Sequence, residues 1–460
     1  MSEMQELVEA ALHACTADGC VVIGSEHTET NLRFAANSLT TNGQMRSRSL
    51  TVIATYEGSG GTSAGVVTRA ISTPDEVADL VRAAQDAGCD ADPADDASPL
   101  VEPYPHDDDW AAEPAATSVE VFEQFAPALG AAFERWRRDD LLLFGFAEHE
   151  VSSYFVASST GLRRRFDQPA GRLELNGKSS DLARSAWSGL HTRDFADVDV
   201  PALTGELERR IGWATTRVDL PPGRYETLLP PSAVADLMVY AYWTAAARDA
   251  DEGRSVYAGR DGGTRIGEQF AALPLTLRSD PAEPGLQCPP FEIATASHGG
   301  IQSVFDNGTP ASAVNWLERG RLTDLIRTRA WARETGTAPR PYVDNLIMDG
   351  AGPGLDEMIA STERGLLLTC LWYIREVDPQ TLLLTGLTRD GVYLVEDGRV
   401  TGAVNNFRFN ESPIDLLGRV SEVGHTEHTL SREWSDYFQR AAMPALRVPD
   451  FNMSTVSAAL

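Results

Sequence analysis

The histidines of this chain are few, and their neighbours limit the chemistry open to them. A zinc hydrolase needs two imidazoles and a carboxylate converging from one helix, the carboxylate serving as general base toward a metal-bound water. The one His-Glu dipeptide is His149-Glu150, followed by Val-Ser-Ser-Tyr-Phe with no second histidine in reach. It sits in a strand-like run, where adjacent side chains face opposite ways, so a structural role is expected. Ser421-Glu422-Val423-Gly424-His425-Thr426-Glu427-His428 would read HExxH were residue 421 histidine; serine removes that ligand. His425 and His428 with Glu422 or Glu427 remain an alternative metal set, but the short, polar, Ser/Thr-flanked segment reads as a solvated loop. Gly61-Thr62-Ser63-Ala64-Gly65 matches the GxSxG nucleophile pattern, which has force only on a strand–turn–helix elbow. Val66-Val67-Thr68-Arg69 continues as a strand, so a hairpin turn is expected there. Cys370 ends the apolar run Leu366–Thr369 and reads as a buried filler. Asn307-Gly308-Thr309 has the sequon shape but reads as a turn, and no GxxxxGK[ST] loop exists. No residue is singled out as catalytic.

The elements that must position these residues follow from periodicity. Met4, Leu7, Val8, Ala11 and Leu12 fall at helical spacing over 3–16. Strand-like runs follow at 20–24, 32–36, 50–56 and 65–70. Thr73-Pro74-Asp75-Glu76 is a helix start, with Glu76 able to reach back to the cap nitrogen, and Gly88 is the expected stop. Residues 91–117, rich in Ala, Asp and Pro, read as a linker or long surface loop. Beyond it the pattern predicts a helix over 119–137, strands over 141–148 and 152–158, a helix over 202–214, a strand over 225–229 and a helix over 232–248. From 342 onward it is mostly β, and Asp397-Gly398 marks a type I′ hairpin. The expected class is α+β: an N-terminal helix-plus-antiparallel-sheet region (1–90), the linker (91–117), a central α/β region packing with it (118–221), and a β-rich C-terminal domain (222–460).

Composition narrows the function classes. The 460 residues carry 67 acids against 39 Lys and Arg, a formal charge of −28. Phosphate recognition needs clustered positive charge, and the densest basic run is Arg163-Arg164-Arg165, so neither nucleic acid nor an anionic membrane is an expected partner. The five cysteines are scattered, with no CxxC pair. The acidic N-terminus lacks the positive charge of an export signal, and no apolar run reaches membrane-spanning length, so a cytoplasmic location is expected.

Several segments in order along the chain are similar to one known family. They are Asn31–Asn37, the turn Gly253-Arg254-Ser255-Val256-Tyr257-Ala258-Gly259, Asp306–Pro310, Asp397–Val400, and Asn406-Phe407-Arg408-Phe409-Asn410-Glu411-Ser412-Pro413. Together they resemble the TldD/PmbA family, once labelled modulators of DNA gyrase. In that family one subunit type, TldD-like, carries an HExxxH zinc motif on the helix before the Gly253-type turn, and the TldE or PmbA-like type lacks it. The matching helix here, 231–248, contains no His, Glu or Cys; counting back from Gly253 puts Met238 to Trp243 at the motif. The resemblance therefore implies a non-catalytic TldE-like subunit that binds no cofactor itself. Its implied partner is a TldD-like HExxxH-containing subunit that supplies the zinc, and a homodimer stays open beside that heterodimer. The implied substrate is a short or unfolded peptide. Tyr240, Tyr242 and Trp243, with Asn406, Arg408 and Asn410, are candidates for the substrate chamber or the interface, ordinary core packing being the competing role. Two further readings are an enzyme in its own right, with a metal site near His425, His428 and Glu422, and a binding scaffold without catalysis.

Overall fold

The computed structural model describes residues 3–71, 73, 75–298 and 300–457. Its N-terminal half is built on one antiparallel sheet of six strands in the order β3-β2-β1-β4-β5-β6. These are β1 (Gly19–Ala35), β2 (Ser38–Gly58), β3 (Gly61–Ala70), β4 (Leu141–Ser158), β5 (Arg163–Ser179) and β6 (Ser185–Thr192). Strands from 1–90 and from 118–221 thus share a single sheet. The pairs of short runs expected at 20–24 and 32–36, and at 141–148 and 152–158, are each one long strand. In the polar middle of β1 two of the three buried side chains are paired: Glu26 takes Arg46 and Arg48, and Thr28 Oγ1 accepts from Thr117 N at 2.9 Å, while Thr30 Oγ1 finds no partner among the described residues.

Strand alternation gives the sheet two faces with different tasks. One is covered by α1 (Glu3–Ala14) and α2 (Asp75–Asp90) at one end, and by α3 (Phe125–Arg138) and α4 (Val200–Trp213) at the other. The apolar stripe Met4, Leu7, Val8 and Ala11 of α1 packs there on Val22, Leu50 and Phe155. Glu76 does reach back, accepting from Thr73 N at 2.9 Å; Pro74 lies outside the described residues. Gly88 does not stop α2, which runs to Asp90. Gly88 is instead where the helix backbone lies against Gly65 of β3. The predicted helix over 119–137 is split into a single 3-10 turn at Val119–Phe122 and then α3, because Pro127 cannot donate a helical hydrogen bond and belongs in a first turn.

The other face looks toward the C-terminal half. Val21, Ile23, Ile53 and Val156 pack there on Phe291, Val304 and Phe305. Residues 91–117 contain no helix or strand and lie along the sheet. Ala94 N donates to Thr62 O at 2.9 Å, Asp108 accepts from Arg164 Nε at 2.9 Å and from Arg165 N at 2.7 Å, and Trp110 meets Phe155 edge-on at 5.6 Å. All three arginines of the basic run are engaged within the fold, Arg163 by Glu9, Arg164 by Asp108 and Arg165 by Asp167.

The C-terminal half is a second, larger sheet system wrapped around one helix. Its strands are β7 (Arg217–Val218), β8 (Gly223–Leu229), β9 (Thr276–Ser279), β10 (Val314–Glu318), β11 (Arg321–Leu322), β12 (Leu346–Asp349), β13 (Arg364–Leu368), β14 (Leu371–Asp378), β15 (Leu383–Thr388), β16 (Val392–Glu396), β17 (Arg399–Val404), β18 (Phe407–Glu411), β19 (Glu422–Thr429) and β20 (Ala441–Val456). The order is β11-β10-β9-β12-β20-β8-β13-β16-β17-β7; β19 and β18 also pair with β20, and β15 joins β18 to the edge strand β14. Asp397 (φ 49°) and Gly398 (φ 75°) both take the left-handed region, as a type I′ hairpin demands. The helix at the centre is α5 (Pro231–Trp243), buried on nearly every side. It ends five residues earlier than its periodicity predicts. The next backbone groups pair with a neighbouring segment instead: Ile326 N donates to Ala245 O at 2.9 Å and Ala247 N to Ile326 O at 2.8 Å. Short helices follow at α6 (Ala247–Asp251), α7 (Arg329–Thr335), α8 (Leu355–Ala360) and α9 (Pro413–Arg419). Among the described residues no helix is long and apolar enough to cross a membrane.

Candidate functional site

Where the C-terminal end of α5 meets the open face of the six-stranded sheet there is a cleft of ≈ 520 Å³. One wall is β4, which presents Glu150, Ser152 and Tyr154 at every second position, with Gln168 of β5 beside them. The facing wall carries Trp243 of α5, Tyr342, Asp344, Tyr437 and Arg440, and the segment Pro289–Thr295 forms a third side. His149, one residue from Glu150, points to the helix-covered face. Its two ring nitrogens lie 2.7 Å from Thr117 Oγ1 and 2.8 Å from Arg193 O, and burial pushes its pKa down. The dipeptide is therefore split between two faces, as the strand reading requires.

The end of α5 is fixed by polar locks set in an apolar core. Asp236 is fully enclosed; its Oδ1 accepts from Ser431 Oγ at 2.8 Å and Glu433 N at 2.9 Å, while its Oδ2 has no partner. The Asp236 carbonyl accepts from Trp434 Nε1 at 2.8 Å, and Trp434 lies tilted against Tyr240 (5.4 Å) and edge-on to Trp243 (5.3 Å). Burial pushes the Asp236 carboxyl up to about 7. Tyr242 lies in the core, its hydroxyl bonded to both N–H and C=O of Val343 at 2.9 Å. Of the aromatic candidates on this helix the structure brings Trp243 to the cleft, its indole donating to Tyr342 Oη at 3.3 Å. Asn406 lines a separate cleft beside β17, and Arg408 donates to Thr385 Oγ1 at 3.2 Å. Asn410 is on β18, where its carbonyl accepts from Asn452 Nδ2 at 3.2 Å. These three are not brought together with Trp243.

The positions expected to carry the zinc motif, Met238 to Trp243, offer no imidazole, thiolate or carboxylate, so the residues present do not fit a zinc ion there. The alternative set fares differently from its loop reading. Glu422–Thr429 is strand β19, held along β20, because the ladder satisfies its backbone and its polar side chains lie outward or in ion pairs. Glu422 is turned to Arg447 Nε at 2.8 Å, and His425 Nε2 is 2.9 Å from Glu427. His428 packs by Gly285. Among the described residues no group of three or more His, Cys, Asp or Glu side chains is arranged to hold a metal. Ser63 is in the β2–β3 hairpin and donates to Gly88 O at 2.7 Å, with no histidine beside it. Burial pushes the Cys370 thiol up to about 12.

Sequence reasoning did not find Glu150, Tyr154, Glu292, Asp344 and Arg440 as one site. Burial first, then the neighbouring Asp344, raises the Tyr154 hydroxyl, with Arg440 opposing. Arg440 is engaged by Asp344 through its carboxylate and, at 2.9 Å, through its carbonyl. Glu292 is enclosed behind the cleft wall next to Asp306; burial and that second acid hold its carboxyl well above the ordinary range.

Comparison with known proteins places this geometry. Residues 222–455 match the family described as PmbA/TldA metallopeptidase C-terminal domain. The whole chain superposes on TldE from Thermococcus kodakarensis with a TM-score of 0.79 at 15% identity, covering 98% of this chain and 99% of that one. A protein described as a modulator of a DNA gyrase from Thermotoga maritima gives 0.74 at 17% identity, covering 97% and 98%. A second protein so described, from Bacteroides thetaiotaomicron, gives 0.75 at 15% identity, covering 98% of each. No curated protein sequence matches. The matched half of the chain contains α5 and the sheets around it, and this chain belongs to the PmbA/TldA metallopeptidase family.

Proposed function

We propose that this chain is the non-catalytic, TldE-like subunit of a heterodimeric zinc metallopeptidase. In this reading a TldD-like partner bearing HExxxH supplies the metal, and this chain helps enclose and bind short or unfolded peptides in the cytoplasm. The observation that carries the reading is the end of α5: Met238, Val239, Tyr240, Ala241, Tyr242 and Trp243 stand where metal ligands are expected, yet the helix still borders a peptide-sized cleft. A helix so placed keeps the wall of a chamber without its chemistry. The chain-long likeness in fold to TldE supports the assignment of type.

The test is to purify the chain alone and co-expressed with an HExxxH-bearing relative, then measure zinc per protein and cleavage of an unfolded fluorogenic peptide. The expected result is no stoichiometric zinc and no cleavage alone, and a co-purifying pair with one zinc that cleaves. One zinc and cleavage by the chain alone would sink the reading and make His425 and His428 the first residues to replace.

A further inference from the structure

The cleft at the end of α5 is rich in acceptors and short of positive charge. Glu150 and Asp344 contribute carboxyl groups, while that of Glu292 is enclosed behind the wall. The one arginine there, Arg440, is already engaged by the Asp344 carboxylate and carbonyl. Gln168 adds a second kind of vacancy. It is 8% exposed, and its Nε2 is fixed by donating to the Pro169 and Gln287 carbonyls at 3.0 and 3.1 Å. That assignment leaves Gln168 Oε1 as a buried acceptor without a partner, a state that buried polar groups rarely keep. Glu150 is one-third exposed, with the His27 ring 3.9 Å away. The walls between these groups are aromatic: Trp243, Tyr342, Tyr154 and Tyr437, the last 78% exposed at the mouth.

An anion entering here would meet the Glu150 and Asp344 carboxylates and an arginine already taken. A cation would find a part-exposed carboxylate with no arginine or lysine paired to it among the described residues, an unpaired amide oxygen and ring faces that attract positive charge. We propose that this cleft binds the cationic group of a peptide, an ammonium or guanidinium, with Glu150 as its counter-charge, Gln168 as an acceptor and Trp243 and Tyr437 against its alkyl stem. The inference deepens the peptide-binding reading above and rests on it. It makes this subunit a determinant of which peptides enter, by selecting for a basic side chain or a free amino terminus.

The experiment uses the purified full chain without a partner, and calorimetric titration with four short peptides sharing one apolar sequence. One has a free amino terminus, one is acetylated with an internal lysine, one is acetylated and neutral, and one is acetylated with glutamate replacing the lysine. The expected result is that a cationic peptide binds about tenfold or more tighter than the neutral one, and the glutamate peptide most weakly. The first two peptides distinguish an amino terminus from a side chain as the group bound. Glu150→Gln should weaken the cationic peptide about tenfold and leave the neutral one unchanged, and Glu150→Lys should abolish the preference. Equal binding of cationic and neutral peptides, or a preference that survives Glu150→Gln in a variant with native circular dichroism, overturns the inference. A zinc-bearing, cleaving heterodimer whose isolated subunit shows no cation preference would overturn this inference alone. Cation-selective binding by a chain that assembles with no HExxxH-bearing partner would instead overturn the subunit reading.

Discussion

Replacing Asp236 by asparagine should stabilise the protein at neutral pH and do little in acid. The carboxyl is enclosed in the core of the C-terminal half, and burial lifts it from the ordinary 3.8 to about 7. The Glu433 N–H, the Ser431 hydroxyl and Arg432 oppose that rise, and the Glu433 carboxylate adds to it. Because the folded value lies above the unfolded one, unfolding releases a proton between them. The contribution to stability is whole below 3.8 and is lost as pH rises through about 7. At about 1.4 kcal/mol per pH unit, that interval is worth on the order of 4 kcal/mol. Asparagine does not titrate, and it keeps an oxygen for Ser431 and Glu433 N. It puts an N–H where the acid at low pH has an O–H, so the two forms are matched in acid. Urea unfolding of both proteins at pH 4.5, 6 and 8 should show near-equal stability at the lowest pH and a gap of a few kcal/mol in favour of Asp236→Asn at the highest. A variant less stable than the parent at pH 8, or a gap that does not change with pH, would refute the reasoning.

Other expectations follow from single sites. Gly65→Ala would place a methyl 2.0 Å from the Ala84 carbonyl oxygen and 2.2 Å from Gly88 N. Since α2 would have to leave the sheet, a loss of about 3 kcal/mol or more in urea unfolding is expected. Arg447→Met removes the buried side chain that binds Glu422, Glu226, Thr362, Ser361 and the Met358 carbonyl, and should cost about 3–5 kcal/mol by the same assay. Tyr242→Phe leaves Val343 N–H unpaired in the core, at a cost of about 1–3 kcal/mol read as a lowered urea midpoint. Thiol labelling at pH 8 should reach Cys89, which is exposed, and Cys15, whose thiol the Cys20 hydrogen bond pulls down to about 7. Cys288 and Cys370, buried and pushed up to about 12, should react only after denaturation.

The α+β class, the first two helices and the Asp397-Gly398 hairpin were legible in the sequence because local chemistry decides them: an apolar stripe, a Glu76 reaching back, a pair of residues that accept positive φ. What local pattern could not show was continuity. The middle of β1 and most of β19 are polar, and periodicity of hydrophobic residues is blind to a strand whose buried groups are Glu26, Thr28 and Thr30, as in β1. The end of α5 was misjudged for a related reason. Nothing within 232–248 reveals that residue 326 competes for its backbone. The cleft was the least legible feature, since Glu150, Gln168, Trp243, Asp344 and Arg440 come from distant segments and meet only when the sheet face closes on α5. Trp243 entered through the family resemblance. Glu150 does carry a local signal: the strand alternation that turns His149 to the helix-covered face aims Glu150 at the opposite one.

The burial of α5 on nearly all sides also bears on descent. A histidine introduced at Met238 would stand in a closed apolar core, and one at Tyr242, beside Trp316 and Phe438, would displace the hydroxyl that holds the Val343 N–H and C=O. Each single step toward a metal-binding helix would therefore cost stability before any ion could repay it, and several neighbours would have to change together. Packing of that kind acts as a ratchet: with the core closed over this helix, a single replacement toward a ligand set loses stability before it gains anything.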